Sequence, residues 1–238
     1  MKRLTTLFLL LAALLALPFA AARAQEPLTD AAATPAVPPQ SPTDASNVWV
    51  LDLSTGGRVE ILLRPDKAPQ HVARIKELTG QGFYNGLIFH RVIDGFMAQG
   101  GDPSGTGQGG STLADLPAEF NDLPHLRGTV SMARTQEPNT ANSQFFVMFM
   151  PNFSLDRNYT AFGRVISGMS SVDALAKGEP PAQPSWVVRA SMKADGVAPP
   201  SAITTGPTVN GVVQPLAAAA TPDESDLEAP TLTPTVPR

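Results

Sequence analysis

Between Gly82 and Ile166, glycine and proline cut the chain into short runs, and this punctuation limits the fold more than any other feature of the sequence. The runs Leu87 to Ile93, Phe96 to Gln99, Thr129 to Ala133, Gln144 to Met148 and Tyr159 to Ile166 are rich in aromatic and β-branched residues, so they read as strands. Upstream, Val48 to Leu53 and Arg58 to Leu63 flank Ser54-Thr55-Gly56-Gly57 and predict a β-hairpin. Val187 to Met192 reads as a last strand. Two stretches repeat apolar residues at helical spacing instead. Pro69 fits the first turn of one, with Val72, Ile75 and Leu78 on its inner face and Gly80 at its end. The other spans Ser170 to Lys177 and carries Val172, Leu175 and Ala176 before Gly178. Many short strands with two helices predict a mainly β domain, an antiparallel barrel or sandwich rather than a doubly wound sheet.

The flanks set where this domain begins and ends. Lys2 and Arg3, the apolar run Leu7 to Leu17 and Ala22-Arg23-Ala24 have the order of a signal peptide over residues 1–24, cut after Ala24. A membrane-spanning helix needs about 20 apolar residues, and this run is shorter. The chain is therefore expected to be periplasmic or secreted, with no stable membrane insertion after cleavage. There is no cysteine, which excludes disulfides, thiol catalysis, cysteine-bound zinc and a lipid-modified cysteine. Residues 25–46 and 199–238 are rich in Pro, Ala and Thr, hold more than half of the 24 prolines, and are expected to be disordered. The second of them is acidic at Asp223, Glu224, Asp226 and Glu228. Residues 47–198 remain, enough for one domain with one core. Removing Lys2, Arg3 and Arg23 from the 17 basic residues leaves 14 against 21 acidic ones, which argues against nucleic acid or an anionic membrane as partner. A monomer is expected.

Within the domain, FHRVIDGFMAQGGD, Phe89 to Asp102, places an arginine in an apolar run. On an extended strand Arg91 shares a face with Phe89 and Ile93, while His90 and Val92 point the other way. A guanidinium in such a place is satisfied by neighbours or kept ready for a ligand. Gly105 to Gly110 matches G-x-G-x-x-G, but Ser111 to Pro117 carries no helical face to hold a pyrophosphate, so the glycines read as a loop that lets another chain pass close by. His71, His90 and His125 show no i, i+4 pair, and neither metal nor cofactor is expected. No serine sits in a G-x-S-x-G elbow, although a hydrolase triad is defined by geometry and not by that mark. The polar loop Ser131 to Ser143 runs into Gln144-Phe145-Phe146. Phe96, Met97, Phe146 and Leu155 suffice to line a pocket, with Arg91, Gln99 and Gln144 as donors around it.

The segments FHRVIDGFMAQGGD, GTGQGG, SMAR, ANSQFFV and LDRNYTAFGRV, in this order, resemble the signature of the cyclophilin family of peptidyl-prolyl cis-trans isomerases, over about Val48 to Met192. The GEPP stretch, Gly178 to Pro181, is similar to that of bacterial members. The resemblance implies a closed eight-stranded antiparallel β-barrel capped by two α-helices. It also implies action without a cofactor on proline-containing unfolded or extended polypeptides, here in the folding of exported proteins. It assigns Arg91 the catalytic role, stabilising the twisted X-Pro amide. Gln99 would hold the substrate carbonyl, and Phe96, Met97, Phe146 and Leu155 would grip the proline ring. The backbone around Ala133 and Arg134 would pair with the peptide, and Gln144 and Tyr159 would complete the groove. Three positions depart from many members: Arg134 replaces Asn, Tyr159 replaces His, and Ser154, beside Phe153, replaces a Trp that helps hold cyclosporin. Weak cyclosporin binding is therefore expected. Two non-enzymatic readings compete: a module or chaperone that holds proline peptides in the same groove, and a scaffold whose tails bind partners while the barrel is inert.

Overall fold

The computed structural model describes residues 44–215. The expected signal peptide at 1–24 and the flanking stretches 25–43 and 216–238 lie outside the described residues. β1 (Val48–Leu53) and β2 (Arg58–Leu63) form the expected hairpin, in register from Val48 opposite Leu62 to Asp52 opposite Arg58. Gly56 turns it at φ +88°, a conformation glycine adopts without a Cβ clash. α1 (Pro69–Gly80) begins at the proline and turns Val72, Ile75 and Leu78 inward. Then follow β3 (Arg91–Ile93), β4 (Met97–Gly100), β5 (Thr129–Met132), β6 (Phe145–Met148), β7 (Ala161–Ser167), α2 (Met169–Asp173) and β8 (Val187–Met192). All eight strands belong to one antiparallel sheet in the order β3-β4-β6-β5-β7-β2-β1-β8.

The closed barrel expected from the sequence is not found: the sheet is an open half-barrel whose edge strands, β3 and β8, do not pair with each other as strands. The run Leu87 to Ile93 keeps ladder geometry only over Arg91–Ile93. Before that, the chain crosses to the start of β8 through the isolated bridge Ile88 to Trp186, with Phe89 N–H donating to Ser185 O and Val187 N–H to Leu87 O. α2 is also shorter than expected. It ends at Asp173, and Gly178 does not cap it but forms a bridge with Val92 of β3.

The reading of everything past residue 198 as disordered does not hold over 199–215. There β9 (Thr208–Val209) and β10 (Val212–Val213) make a small hairpin, tied to the domain by Thr208 N–H to Gly86 O (2.7 Å) and Asn210 N–H to Pro103 O (2.8 Å). Backbone pairing holds this segment while Val212 and Val213 stay exposed, so composition carried no sign of it.

The core centres on Trp49, Tyr84 and Phe145, all fully buried, with ring centroids 5.0 to 5.9 Å apart in edge-to-face contacts. Such pairs gain from ring quadrupoles as well as from buried area. Val72, Ile75 and Leu78 of α1, with Val172 and Leu175, pack into the same core. The Tyr84 hydroxyl donates to Ser143 O at 3.2 Å, and burial pushes its ionisation far above the usual phenol range. Phe145→Ala is expected to destabilise the fold by about 3–5 kcal/mol, and Val212→Ser, on the exposed hairpin, by less than about 0.5 kcal/mol. Equilibrium urea unfolding measures both; equal losses would contradict this division of the molecule.

Candidate functional site

Successive side chains of a strand leave opposite faces of the sheet. In β4 and β6, Ala98, Phe145 and Val147 enter the main core, while Met97, Phe146 and Met148 form a second, smaller apolar cluster. Ile93, Phe96, Ala133, Leu155 and Tyr159 pack against it. Strand register then makes one row: Arg91 lies opposite Gln99, Gln99 opposite Phe146, and Phe146 opposite Ser131. A cavity of about 160 Å³ is lined by Arg91, Phe96, Met97, Gln99, Ala133, Arg134, Phe146, Leu155 and Tyr159. Gln99, Ala133 and Arg134 also border a wider cavity of about 720 Å³, which Gln144 and the glycines Gly107, Gly109 and Gly110 help to line. Every residue given a role in the site from the sequence is thus on one of two adjoining cavities. One sequence expectation fails locally: Phe89 precedes β3 and sits in the main core, so it does not share the face of Arg91.

Arg91 is half-exposed. Its Nε donates to Glu179 Oε2 at 2.6 Å, and its two terminal nitrogens have no partner among the described residues. Glu179 was not singled out from the sequence as a site residue; only the bridge between Val92 and Gly178, a long-range pairing, brings it here. Gln99 Nε2 donates to Gln144 Oε1 at 2.8 Å, and Gln144 Nε2 donates to the carbonyls of Gly107 and Gly109 at 3.1 and 2.7 Å. Gln144 therefore ties the glycine loop to the groove. The Ala133 N–H is already bonded to Gln144 O. Arg134 lies over the Tyr159 ring, 4.6 Å from its centroid, and spends its donors on the carbonyls of Asn158, Thr135 and Gln136. A guanidinium so bonded braces the wall between the two cavities.

Carboxylates hold the surrounding loops. Asp102 is fully buried and accepts from the N–H groups of Ser104, Thr106, Gly107 and Gly109. Burial pushes its carboxyl up, but these bonds and that from the Ser104 hydroxyl more than offset it and hold it below the usual range. The glycine run thus wraps a protein carboxylate with donors of the kind a phosphate would need. A Ser-His-Asp arrangement does exist: Ser131 Oγ lies 2.8 Å from His125 Nε2, and His125 Nδ1 lies 2.8 Å from Asp156 Oδ1. The ionised carboxylate only accepts, so Nδ1 carries the proton and Nε2 accepts from the serine. Ser131 is wholly buried, however, and no substrate reaches it. The imidazole instead stacks on Phe146, centroids 6.2 Å apart and planes within 19°, and supports the groove floor. Among the described residues, no three His, Asp or Glu side chains gather as a metal site.

Residues 50–192 match the family model for cyclophilin type peptidyl-prolyl cis-trans isomerase/CLD. The chain is 47% identical over 176 residues to a probable peptidyl-prolyl cis-trans isomerase of Brucella suis biovar 1 (strain 1330), an alignment covering 67% of this chain and 89% of that one. It is 41% identical over 128 residues to peptidyl-prolyl cis-trans isomerase B of Bacillus subtilis (strain 168), covering 53% and 89%. Among solved structures it is similar to a cyclophilin from Hirschia baltica, with a TM-score of 0.59, 33% identity and coverage of 66% of this chain and 77% of that one. A cyclophilin type peptidyl-prolyl cis-trans isomerase from Cryptosporidium parvum, crystallised in the presence of the dipeptide Ala-Pro, gives a TM-score of 0.57 at 28% identity, covering 61% and 98%.

Burial depresses the pKa of His71, His90 and His125, and the carboxylates Glu119, Asp102 and Asp156 near them only partly counter it. Below the ordinary histidine value of about 6.5, the unfolded chain takes up protons that the native state refuses. Stability that is fully present above this pH is therefore lost as the pH falls through and below it. Calorimetry is expected to show Tm falling between about pH 7.5 and pH 5.5; a Tm that stays level or rises toward acid would refute buried neutral histidines.

Proposed function

The chain belongs to the cyclophilin-type peptidyl-prolyl cis-trans isomerase family and is an isomerase, and from this we propose that it assists the folding of exported proteins by stabilising the twisted X-Pro amide with Arg91. An X-Pro bond turns slowly because its C–N bond has partial double-bond character, with a barrier of about 20 kcal/mol. No bond to another atom is made or broken, so a catalyst needs no nucleophile and no proton shuttle. It must favour the twisted amide, in which resonance is lost and the prolyl nitrogen becomes an acceptor.

The observation that carries this reading is the row Arg91, Gln99 and Phe146 beside a cavity of about 160 Å³ whose other walls include Phe96, Met97 and Leu155. The terminal nitrogens of Arg91 have no partner among the described residues, so they are available to the prolyl nitrogen. Their bonds strengthen only as the lone pair localises, which is selective binding of the transition state. Gln99 keeps one amide hydrogen beyond the one given to Gln144, and we assign it to the substrate carbonyl. Phe96, Met97, Phe146 and Leu155 would hold the proline ring. The peptide would pair with the backbone at Ala133 and Arg134; because the Ala133 N–H is taken, its carbonyl is the group left for that pairing. The wider cavity beside Gln144 would receive residues upstream of the proline. Lys2, Arg3, Leu7 to Leu17 and Ala22-Arg23-Ala24 support export, and no helix of the described residues is long and apolar enough to cross a membrane.

Isomerisation of a short Ala-Pro peptide is expected to be fast with the full chain and about 10² to 10³ slower with Arg91→Ala, a loss of about 3–4 kcal/mol. A folded wild type without a rate above background would leave a peptide-holding module. At the departure from many family members, Ser154 Oγ donates to Asn152 Oδ1 at 2.6 Å and Phe153 is exposed. Ser154→Trp is expected to tighten cyclosporin binding by about tenfold or more. Nanomolar inhibition of the unaltered chain would refute the weak binding expected here.

A further inference from the structure

Arg91 stands on the edge strand of an open sheet, where no further strand fixes its side chain. The loop after α2 takes that place. Val92 N–H donates to Gly178 O and Gly178 N–H to Val92 O, both at 2.8 Å, so the two residues form a reciprocal antiparallel pair. Continuing that antiparallel register by one residue sets Glu179 opposite Arg91. The same row already runs from Arg91 through Gln99 to Phe146, so Glu179 is its outermost member.

The anchor of this loop is specific. Gly178 has φ +144°, and a Cβ there would meet the Cα and N of Pro181 at 2.7 and 2.9 Å, so a larger residue would displace the backbone that carries Glu179. Immediately upstream, the Lys177 ammonium lies 4.0 Å from the centroid of the Phe149 ring and donates to Asp173 O. Glu179 is thus presented by a fixed backbone, while its carboxylate stays about half exposed.

We infer that Glu179 is the positioning residue of the isomerase: by accepting from Arg91 Nε it orients the guanidinium plane so that both terminal nitrogens face the reacting amide. An ion pair this exposed contributes little to stability, and its geometry suits orientation better. A guanidinium is planar, so one bond to Nε leaves the other two nitrogens in a fixed fork. Gln99, the neighbour across the ladder, does not do this work: its Nε2 donates to Gln144, and the side-chain bond of Arg91 goes to Glu179. The inference rests on the reading of Arg91 as the stabilising group.

The test is steady-state kinetics on an Ala-Pro peptide with the full chain, comparing wild type, Arg91→Ala, Glu179→Ala, Glu179→Gln and the double variant Arg91→Ala/Glu179→Ala. Glu179→Ala is expected to lower kcat about tenfold with KM changed by less than about twofold. Glu179→Gln, which keeps an acceptor oxygen at the same reach, is expected to recover most of the loss. In the Arg91→Ala background, Glu179→Ala is expected to add nothing, because its effect passes through the arginine. Wild-type kcat in Glu179→Ala, with Arg91→Ala slow, overturns this inference and leaves the proposed function standing. An equal further loss in the Arg91→Ala background also overturns it, by showing general damage to the loop. Wild-type activity in Arg91→Ala removes the reading of the arginine itself.

Discussion

A strand has two faces, and the groove exists because β4 and β6 fill both. Phe145 and Phe146 are neighbours in the chain, yet one packs against Trp49 and Tyr84 in the main core while the other floors the candidate site. A register slip of one residue would exchange them and place Gln99 inside. The aromatic core therefore does more than stabilise: by fixing the direction of Phe145 it fixes the directions of Phe146, Gln99 and, through the ladder, Arg91. Groups aligned by a sheet are held more rigidly than groups on loops, which suits a reaction governed by orientation.

The loops that complete the site have little regular structure, and their backbone N–H groups need partners. Carboxylates supply many of them. Asp102 gathers the glycine loop; Glu119 accepts from the N–H groups of Gln70 and His71 at the start of α1, where a negative charge also meets the helix dipole. Asp156 accepts from the N–H and the ring of His125. These contacts tie the glycine loop back to Asp102, just past β4, the loop at Glu119 to α1, and the loops of His125 and Asp156 to each other. A chain without cysteine is thus stapled by hydrogen bonds to charge, which are stronger than neutral ones when shielded from water.

The strand and helix pattern was legible because it rests on local signals: the Gly56 turn, Pro69 at a helix start, apolar spacing in α1. The ten residues that line the two cavities were named from an ordered string of motifs, not from any one of them. What escaped the sequence depends on pairings between distant segments. Edge behaviour is one case, since the open sheet arises where Leu87 to His90 leaves the ladder, which no residue preference announces. The hairpin at 208–213 is another, built on backbone bonds to Gly86 and Pro103 and not on apolar burial. Asp102 is a third: its role in shaping the glycine loop follows from a set of backbone donors that appears only once the loop is folded.

Placing the key arginine on an edge strand has a physical consequence. In a central strand its neighbours on both sides would be ladder residues, and a charged side chain would be crowded by groups that are there for packing. At the edge, one flank is Gln99 of β4 and the other is open to whatever loop the chain brings. The loop brought here carries an acceptor, Glu179, 2.6 Å from Arg91 Nε, and leaves the guanidinium half-exposed. Ser131, at the far end of the same row, and His125, bonded to it, are fully buried and neutral. The side chains in direct contact beneath Phe146 are thus neutral, and the nearest charge there, Asp156, is held by His125 on the ring nitrogen away from Ser131. That asymmetry matches a reaction in which polarity develops at a single nitrogen while the proline ring beside it remains apolar.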